Sequence, residues 1–159
     1  MFKTRNDLPA GKRERLIAIL NQRLADLIDL HAQAKHAHWN VKGAQFFSLH
    51  KLFDEVAGAV DGFVDKVAER AVQLGGVAEG TVQIVGRRTA LKEYPSSIAG
   101  GMDHVAALSG AIAALGSAVR GNIEEAASLG DADTADLFTE VSQGLDKYLW
   151  FVEAHGQTE

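Results

Sequence analysis

Leu16, Ile17, Leu20, Leu24, Leu27 and Ile28 recur every three or four residues with polar and charged residues between them, the period of a helix buried along one side. This predicts a first long helix over 11–39. After a break at Val41, Lys42 and Gly43, the residues Phe46, Leu49, Phe53, Val56, Val60, Val64, Val67, Ala71 and Leu74 resume the period and predict a second long helix that stops at Gly75 and Gly76. A third helix is expected over 97–128 and a fourth over 133–153, beyond a break at Gly130. Gly100, Gly101, Gly110, Gly116 and Gly121 weaken the third, at about 1 kcal/mol per interior glycine relative to alanine, but no alternating strand pattern competes with it.

The segment 75–97 contains Gly80, Gly86 and Pro95 and is too long for a hairpin link, so it should be a crossover with a short helix near 81–85. Four long helices, two short links and one long link describe an all-α, ferritin-like four-helix bundle. At 159 residues and 47% hydrophobic content the chain fits one domain, 1–159, with a short N-terminal tail over 1–10. Its start carries charge with no apolar stretch behind it, unlike a secretory signal, and the longest uncharged run, 105–119, is shorter than a membrane span. A cytoplasmic protein with no membrane partner is therefore expected. The formal net charge of −5 repels nucleic acid at long range unless basic residues cluster.

There is no cysteine, so any metal must be held by imidazole and carboxylate. His50 and Asp54 are one turn apart, as are Asp65 and Glu69, and at roughly 100° per residue all four fall within about 100° on one face of the second helix. Asp54 and Asp65 are nevertheless roughly 16 Å apart along the axis, too far for one ion with bonds of about 2 Å. A twofold-related helix crossing antiparallel between Ala59 and Val60 removes the difficulty, because His50 and Asp54 of one chain then meet Asp65 and Glu69 of the other. Gly58, Ala59 and Gly62 surround that crossing point and permit close approach. His38, at the end of the first helix, completes the site. His31 and Lys35 share its helical face and are candidate neighbours of the metal, Lys35 equally as a carboxylate partner. His36 reads as an ordinary polar contact, and His104 and His155 are assigned no role. Two imidazoles and three carboxylates suit Fe(II), and suit Fe(III) better, so charge balance favours oxidation. Glu-x-x-His, the mark of a di-iron site inside one bundle, is absent, in keeping with a site between chains.

The run from Lys35 to Gly43 (Lys-His-Ala-His-Trp-Asn-Val-Lys-Gly), His50 with Phe53 and Asp54, and Asp65 with the run from Ala68 to Gly76 resemble the Dps family, the DNA-binding proteins from starved cells and small ferritins of bacteria. Leu91 and Lys92 with Tyr94 and Pro95, the run Asp133 to Asp136, and Leu145 to Phe151 extend the resemblance over nearly the whole chain. It implies a hollow homododecamer with ferroxidase sites at twofold interfaces, which oxidise Fe(II), preferably with hydrogen peroxide, and deposit ferric mineral inside. The family's iron ligands fall on His38, His50, Asp54, Asp65 and Glu69. Trp39, beside a ligand, is a candidate electron donor to stray oxidants. Acidic threefold pores that admit iron match Asp133 and Asp136, with Asp131 and Glu140 as further candidates. The departure is at the N-terminus, where DNA-binding members carry a flexible lysine-rich tail and this chain has Lys3 and Arg5 before Asp7.

The leading expectation is a ferroxidase and iron store that protects DNA from oxidative damage. The alternative is a nucleoid-binding protein that contacts DNA through Lys3 and Arg5 and has minor iron chemistry, with affinity gathered over twelve copies. A third reading, a zinc hydrolase on the same ligands, requires an open substrate cleft.

Overall fold

The computed structural model describes residues 1–157, so the last two residues of the expected domain lie outside the described residues. The helices are α1 (Ala10–Asn40), α2 (Phe46–Gln73), α3 (Val82–Arg88), α4 (Gly101–Ser128) and α5 (Ala132–Glu153). Among the described residues there is no strand, only an isolated parallel bridge between Lys42 and Gly100. α1 pairs with α2 and α4 with α5, and the two pairs close on each other through α1 against α4 and α2 against α5. One continuous core runs through all four long helices, with Leu16, Leu20, Leu27 and Leu30 meeting Phe53, Val56, Leu108, Ile112, Phe138 and Leu145. These are the periodic apolar positions, so burial along one stripe of each helix produces the all-α bundle.

Two helix ends show how the links are made. At the end of α2, Gly76 N–H donates to the Ala71 carbonyl and Gly75 N–H to that of Val72, both at 2.9 Å. At the end of α4, Asp131 N–H donates to Ala126 (3.1 Å) and Gly130 N–H to Ala127 (2.9 Å). Both are Schellman closures, and Gly75 (φ +89°) and Gly130 (φ +82°) adopt the left-handed conformation that such closures require.

The third and short helices differ from expectation at their boundaries. α4 begins at Gly101 instead of 97, and α3 spans Val82–Arg88 instead of 81–85. The segment before α4 is held extended because Lys42 N–H donates to the Ala99 carbonyl (2.9 Å), a tertiary bond that tethers the crossover to the α1–α2 corner. α4 keeps its helix despite its glycines because Val105, Leu108, Ile112, Leu115 and Val119 are buried along it. By length and composition it is also a helix that could cross a membrane, but its apolar stripe belongs to the bundle core.

Gly144 on α5 lies directly under the ring of Phe63 on α2, where an added Cβ would collide with the ring. Gly144→Ala is expected to lower unfolding free energy by about 1–3 kcal/mol in denaturant titration, with part of the loss recovered when Phe63 is also changed to Leu.

Candidate metal centre

The last turn of α1 and the first turns of α2 lie side by side across the short link at 41–45. His38 Nδ1 lies 2.6 Å from the His50 carbonyl oxygen, and His50 Nδ1 lies 2.8 Å from the His38 carbonyl oxygen. A carbonyl can only accept, so each Nδ1 carries the proton and each ring donates to the other residue's backbone. The His38 carbonyl is available because it falls in the last turn of α1, where carbonyls lack helical partners. The two rings stack at 3.8 Å between centroids, with the Phe46 ring 5.1 Å from that of His50. The tautomer fixed this way leaves both Nε2 atoms as lone-pair donors, the form in which imidazole binds metal, with the other nitrogen anchored by a carbonyl.

Asp54, one turn beyond His50, is exposed and takes an ion pair from Lys35 of α1, with Nζ to Oδ1 at 2.6 Å. The hydrogen bond from Lys35 holds the Asp54 carboxyl below the ordinary carboxylate range; slight desolvation opposes this, and the charge of Lys35 and the nearby His38 and His50 reinforce it. Lys35 is thus placed as a carboxylate partner, and its ammonium also lies 5.7 Å from the ring centroid of the exposed Trp39. His31 is half-buried on the same helix.

Asp65 and Glu69 are exposed on α2 and make no ion pair among the described residues. Between them and Asp54, Gly58 and Gly62 face open space. The fold therefore brings His38, His50 and Asp54 together and leaves Asp65 and Glu69 apart from them. Among the described residues no three histidine or carboxylate groups of one chain converge to hold an ion.

At the start of α5 the four acidic candidates separate into two kinds. Asp131 is buried, accepts from Thr134 N–H as the N-cap of α5, and pairs with Arg70 of α2 at 2.7 Å. Burial works against its charge, but the bonds from Thr134 and Arg70 outweigh it and hold the carboxyl below the usual range. Asp131 is thus a structural anion and not a pore-lining one, a correction to the expectation from sequence. Asp133, Asp136 and Glu140 remain exposed around a shared depression with Thr139 and Gln143, although Glu140 pairs with Lys66 and Asp133 approaches Arg70 at 3.8 Å.

The N-terminal residues do not hang free. Phe2 N–H donates to the Gly75 carbonyl (2.7 Å), and Arg13 Nη1 donates to the Leu74 carbonyl (2.9 Å) beside it. Lys3 and Arg5 are exposed but stand on a segment held against the end of α2. Sequence reading missed this docking and the Arg70–Asp131 pair; Arg70 one residue after the candidate Glu69 and Asp131 just before a helix were the available signals. It also passed over His104, which is fully buried and hydrogen-bonded to Tyr94.

A family model for the ferritin-like domain matches residues 17–158. The chain is 46% identical over 155 residues to the DNA protection during starvation protein of Agrobacterium fabrum, covering 98% of this chain and 96% of that protein. Its backbone is similar to DpsA14 from Streptomyces coelicolor, with TM-score 0.93 and 34% identity over 98% of this chain and 92% of that one. The tetragonal form of Mycobacterium smegmatis Dps gives TM-score 0.92 and 31% identity over 96% of this chain and 93% of that one.

The Arg70–Asp131 pair has a definite pH signature. The folded-state carboxyl is depressed, so its stabilisation is complete above the unfolded value of about 4 and is lost as pH falls through the folded value. Arg70→Met, which strands a buried carboxylate, is expected to cost about 3–5 kcal/mol at neutral pH. In thermal unfolding followed against pH, the gap between variant and parent should narrow below about pH 4.

Proposed function

The chain belongs to the ferritin-like family and, within it, to the DNA protection during starvation proteins (Dps), and from that membership we propose that it oxidises Fe(II) at sites shared between twofold-related chains and stores the ferric product in a hollow dodecameric shell in the cytoplasm. Iron is the substrate and the cargo. The observation that carries the reading is the division of the five candidate ligands into two halves along α2, with His50 and Asp54, joined by His38 from α1, at one end and the exposed Asp65 and Glu69 at the other.

The chemistry follows from the donors. His38 and His50 offer Nε2 lone pairs already fixed by their Nδ1–H bonds, so little ordering remains when Fe(II) binds. Three carboxylates favour the trivalent product over the divalent substrate, which lowers the barrier to losing an electron. Two Fe(II) ions each give up one electron, and hydrogen peroxide takes both electrons with two protons to become two water molecules. Peroxide consumed in this two-electron way releases no hydroxyl radical, so DNA is protected chemically; dioxygen is the alternative oxidant. The exposed carboxylates Asp133, Asp136 and Glu140 are suited to drawing cations toward the shell's pores. The docked N-terminus, which holds Lys3 and Arg5 against the body, favours this reading over one in which a basic tail coats DNA.

Subunit mixing tests the shared site. Asp54→Asn and Glu69→Gln chains should each be slow in forming ferric absorbance when anaerobic Fe(II) meets peroxide. Co-assembled in equal amounts they should regain activity, because each mixed pair holds one site with both halves intact. Equal inactivity of the mixture, with dimers present by light scattering, would place all five ligands in one chain and sink the reading.

Lys35 competes with iron for Asp54. Lys35→Met is expected to tighten anaerobic Fe(II) binding by about two- to fivefold in calorimetry, the range for releasing an exposed ion pair.

A further inference from the structure

Tyr94, on the crossover, and His104, in the first turn of α4, form a hydrogen-bonded pair with no part in the chemistry described so far. The Tyr94 hydroxyl lies 2.7 Å from His104 Nδ1 and the two rings stack. His104 is fully buried, and its Nε2 has no hydrogen-bond partner. The direction of the bond follows from counting. If Nδ1 carried the proton, both the Tyr94 hydroxyl proton and the Nε2 lone pair would be left without partners; with the hydroxyl donating, only the Nε2–H is left. The phenol therefore donates to a neutral imidazole. Burial pushes the Tyr94 hydroxyl well above its ordinary range and the His104 ring below its own, so at neutral pH both stay uncharged.

The pair sits one side chain from the ligand turns. The Phe53 ring, next in sequence to Asp54, is 6.3 Å from the His104 ring, and the His36 ring, two residues before His38, is 5.3 Å from that of Tyr94. The contrast with the other tyrosine is chemical. Tyr148 has the Lys147 ammonium 5.4 Å from its ring, which opposes loss of an electron, and among the described residues its hydroxyl makes no hydrogen bond to an imidazole.

We infer that Tyr94 and His104 form a proton-coupled electron relay that quenches one-electron oxidants generated near the ligand turns. The oxidant arises when only one Fe(II) is bound and peroxide takes a single electron from it, splitting into hydroxide and a hydroxyl radical; Tyr94 then loses one electron to that radical, which becomes hydroxide. In the same event its hydroxyl proton moves along the hydrogen bond to His104 Nδ1, leaving a neutral phenoxyl radical and an imidazolium. Without the imidazole the oxidised phenol, a very strong acid, would have no base to take its proton; with it the proton passes to a ring where burial, His36 and Lys42 work against the charge and Asp103 and the Ile98 carbonyl favour it, so the imidazolium readily gives the proton back. Fe(II) then returns the electron and His104 returns the proton, so the relay is restored and the oxidant has been consumed by iron. In this scheme His104 is a positioning and proton-accepting residue, and Tyr94 is the redox-active one.

The inference rests on the iron-and-peroxide reading only for the source of the oxidant, and the test separates the two. Parent, Tyr94→Phe, Tyr148→Phe and His104→Gln proteins are mixed with Fe(II) and peroxide, frozen at intervals and examined by electron paramagnetic resonance, with ferric absorbance read on the same samples. A tyrosyl radical is expected in the parent and in Tyr148→Phe, and none in Tyr94→Phe. In His104→Gln it should form about tenfold or more slowly. Ferric absorbance should persist in all four, and heavy water should slow radical formation in the parent and in Tyr148→Phe, the two proteins that keep the hydrogen-bonded pair. A second arm exposes the iron-free proteins to azide radicals made by radiolysis and should give the same order. A radical that survives Tyr94→Phe, or no tyrosyl radical in either arm, overturns the relay. Absent ferric absorbance with the radiolysis order intact overturns the iron reading and leaves the relay standing.

Discussion

A straight helix advances about 1.5 Å per residue, and no side chain on α2 can shorten the distance between Asp54 and Asp65 that this rise imposes. Around that constraint the rest of the molecule is arranged. His38 and Asp54 can meet because α1 ends where α2 begins, with Val41 buried in the corner and Lys42 bonded to Ala99 across it. The two imidazoles then lock each other through the backbone, so the half-site at this end of α2 is a rigid piece of two helices. At the other end, Asp65 and Glu69 have only their own helix behind them. Both side chains are exposed, and among the described residues neither makes a side-chain hydrogen bond or an ion pair.

The charges follow the same division. α5 carries Asp133, Asp136, Glu140, Asp146 and Glu153 against Lys147 alone, and α2 carries five acidic residues against three basic ones. α1 and α3 lean the other way, through Lys12, Arg13, Arg15 and Arg23 and through Arg87 and Arg88. α2 and α5, which pack against each other, are thus both net acidic, as is α4 with Asp103, Glu124 and Glu125 against Arg120. An excess of acidic residues on helices that also carry the proposed ligands would raise the local concentration of divalent cations above that in bulk solution. It also sets these helices apart from the docked N-terminal segment with its lysine and arginine.

What was legible in the sequence was whatever a single helix encodes. The period of Leu16 to Ile28 and of Phe46 to Leu74 located α1 and α2 to within a residue or two, and glycines at 75 and 130 marked helix ends because only a left-handed residue closes a Schellman turn. The shared face of His50, Asp54, Asp65 and Glu69 was equally local. Relations between elements were not legible. Nothing near Ser97 indicates that Ala99 accepts a bond from Lys42, which is why α4 starts four residues later than its composition allows. Asp131 reads as one more acidic residue at a helix start until Arg70, on another helix, is placed against it. Tyr94 and His104 are ten residues apart across a turn and the start of α4, a spacing with no helical meaning.

Trp39, Phe46 and Phe47 are exposed near the His38 end of α2, and Val72 and Val77 at the Glu69 end. In an antiparallel crossing centred between Ala59 and Val60, the register that joins His50 to Glu69 also joins Phe47 to Val72. The aromatic residues of one chain would thus cover the aliphatic residues of the other, next to Ala68 and Ala78, which border a shallow apolar hollow beside Glu69. At about 25 cal/mol per Å² of apolar surface, each covered side chain favours pairing by roughly 1.5–3 kcal/mol when fully buried. The same contact would remove water from around Glu69 and strengthen its attraction for a cation. In the proposed pairing, hydrophobic contact and ligand completion would therefore share one register, and a slip by a single residue would break both.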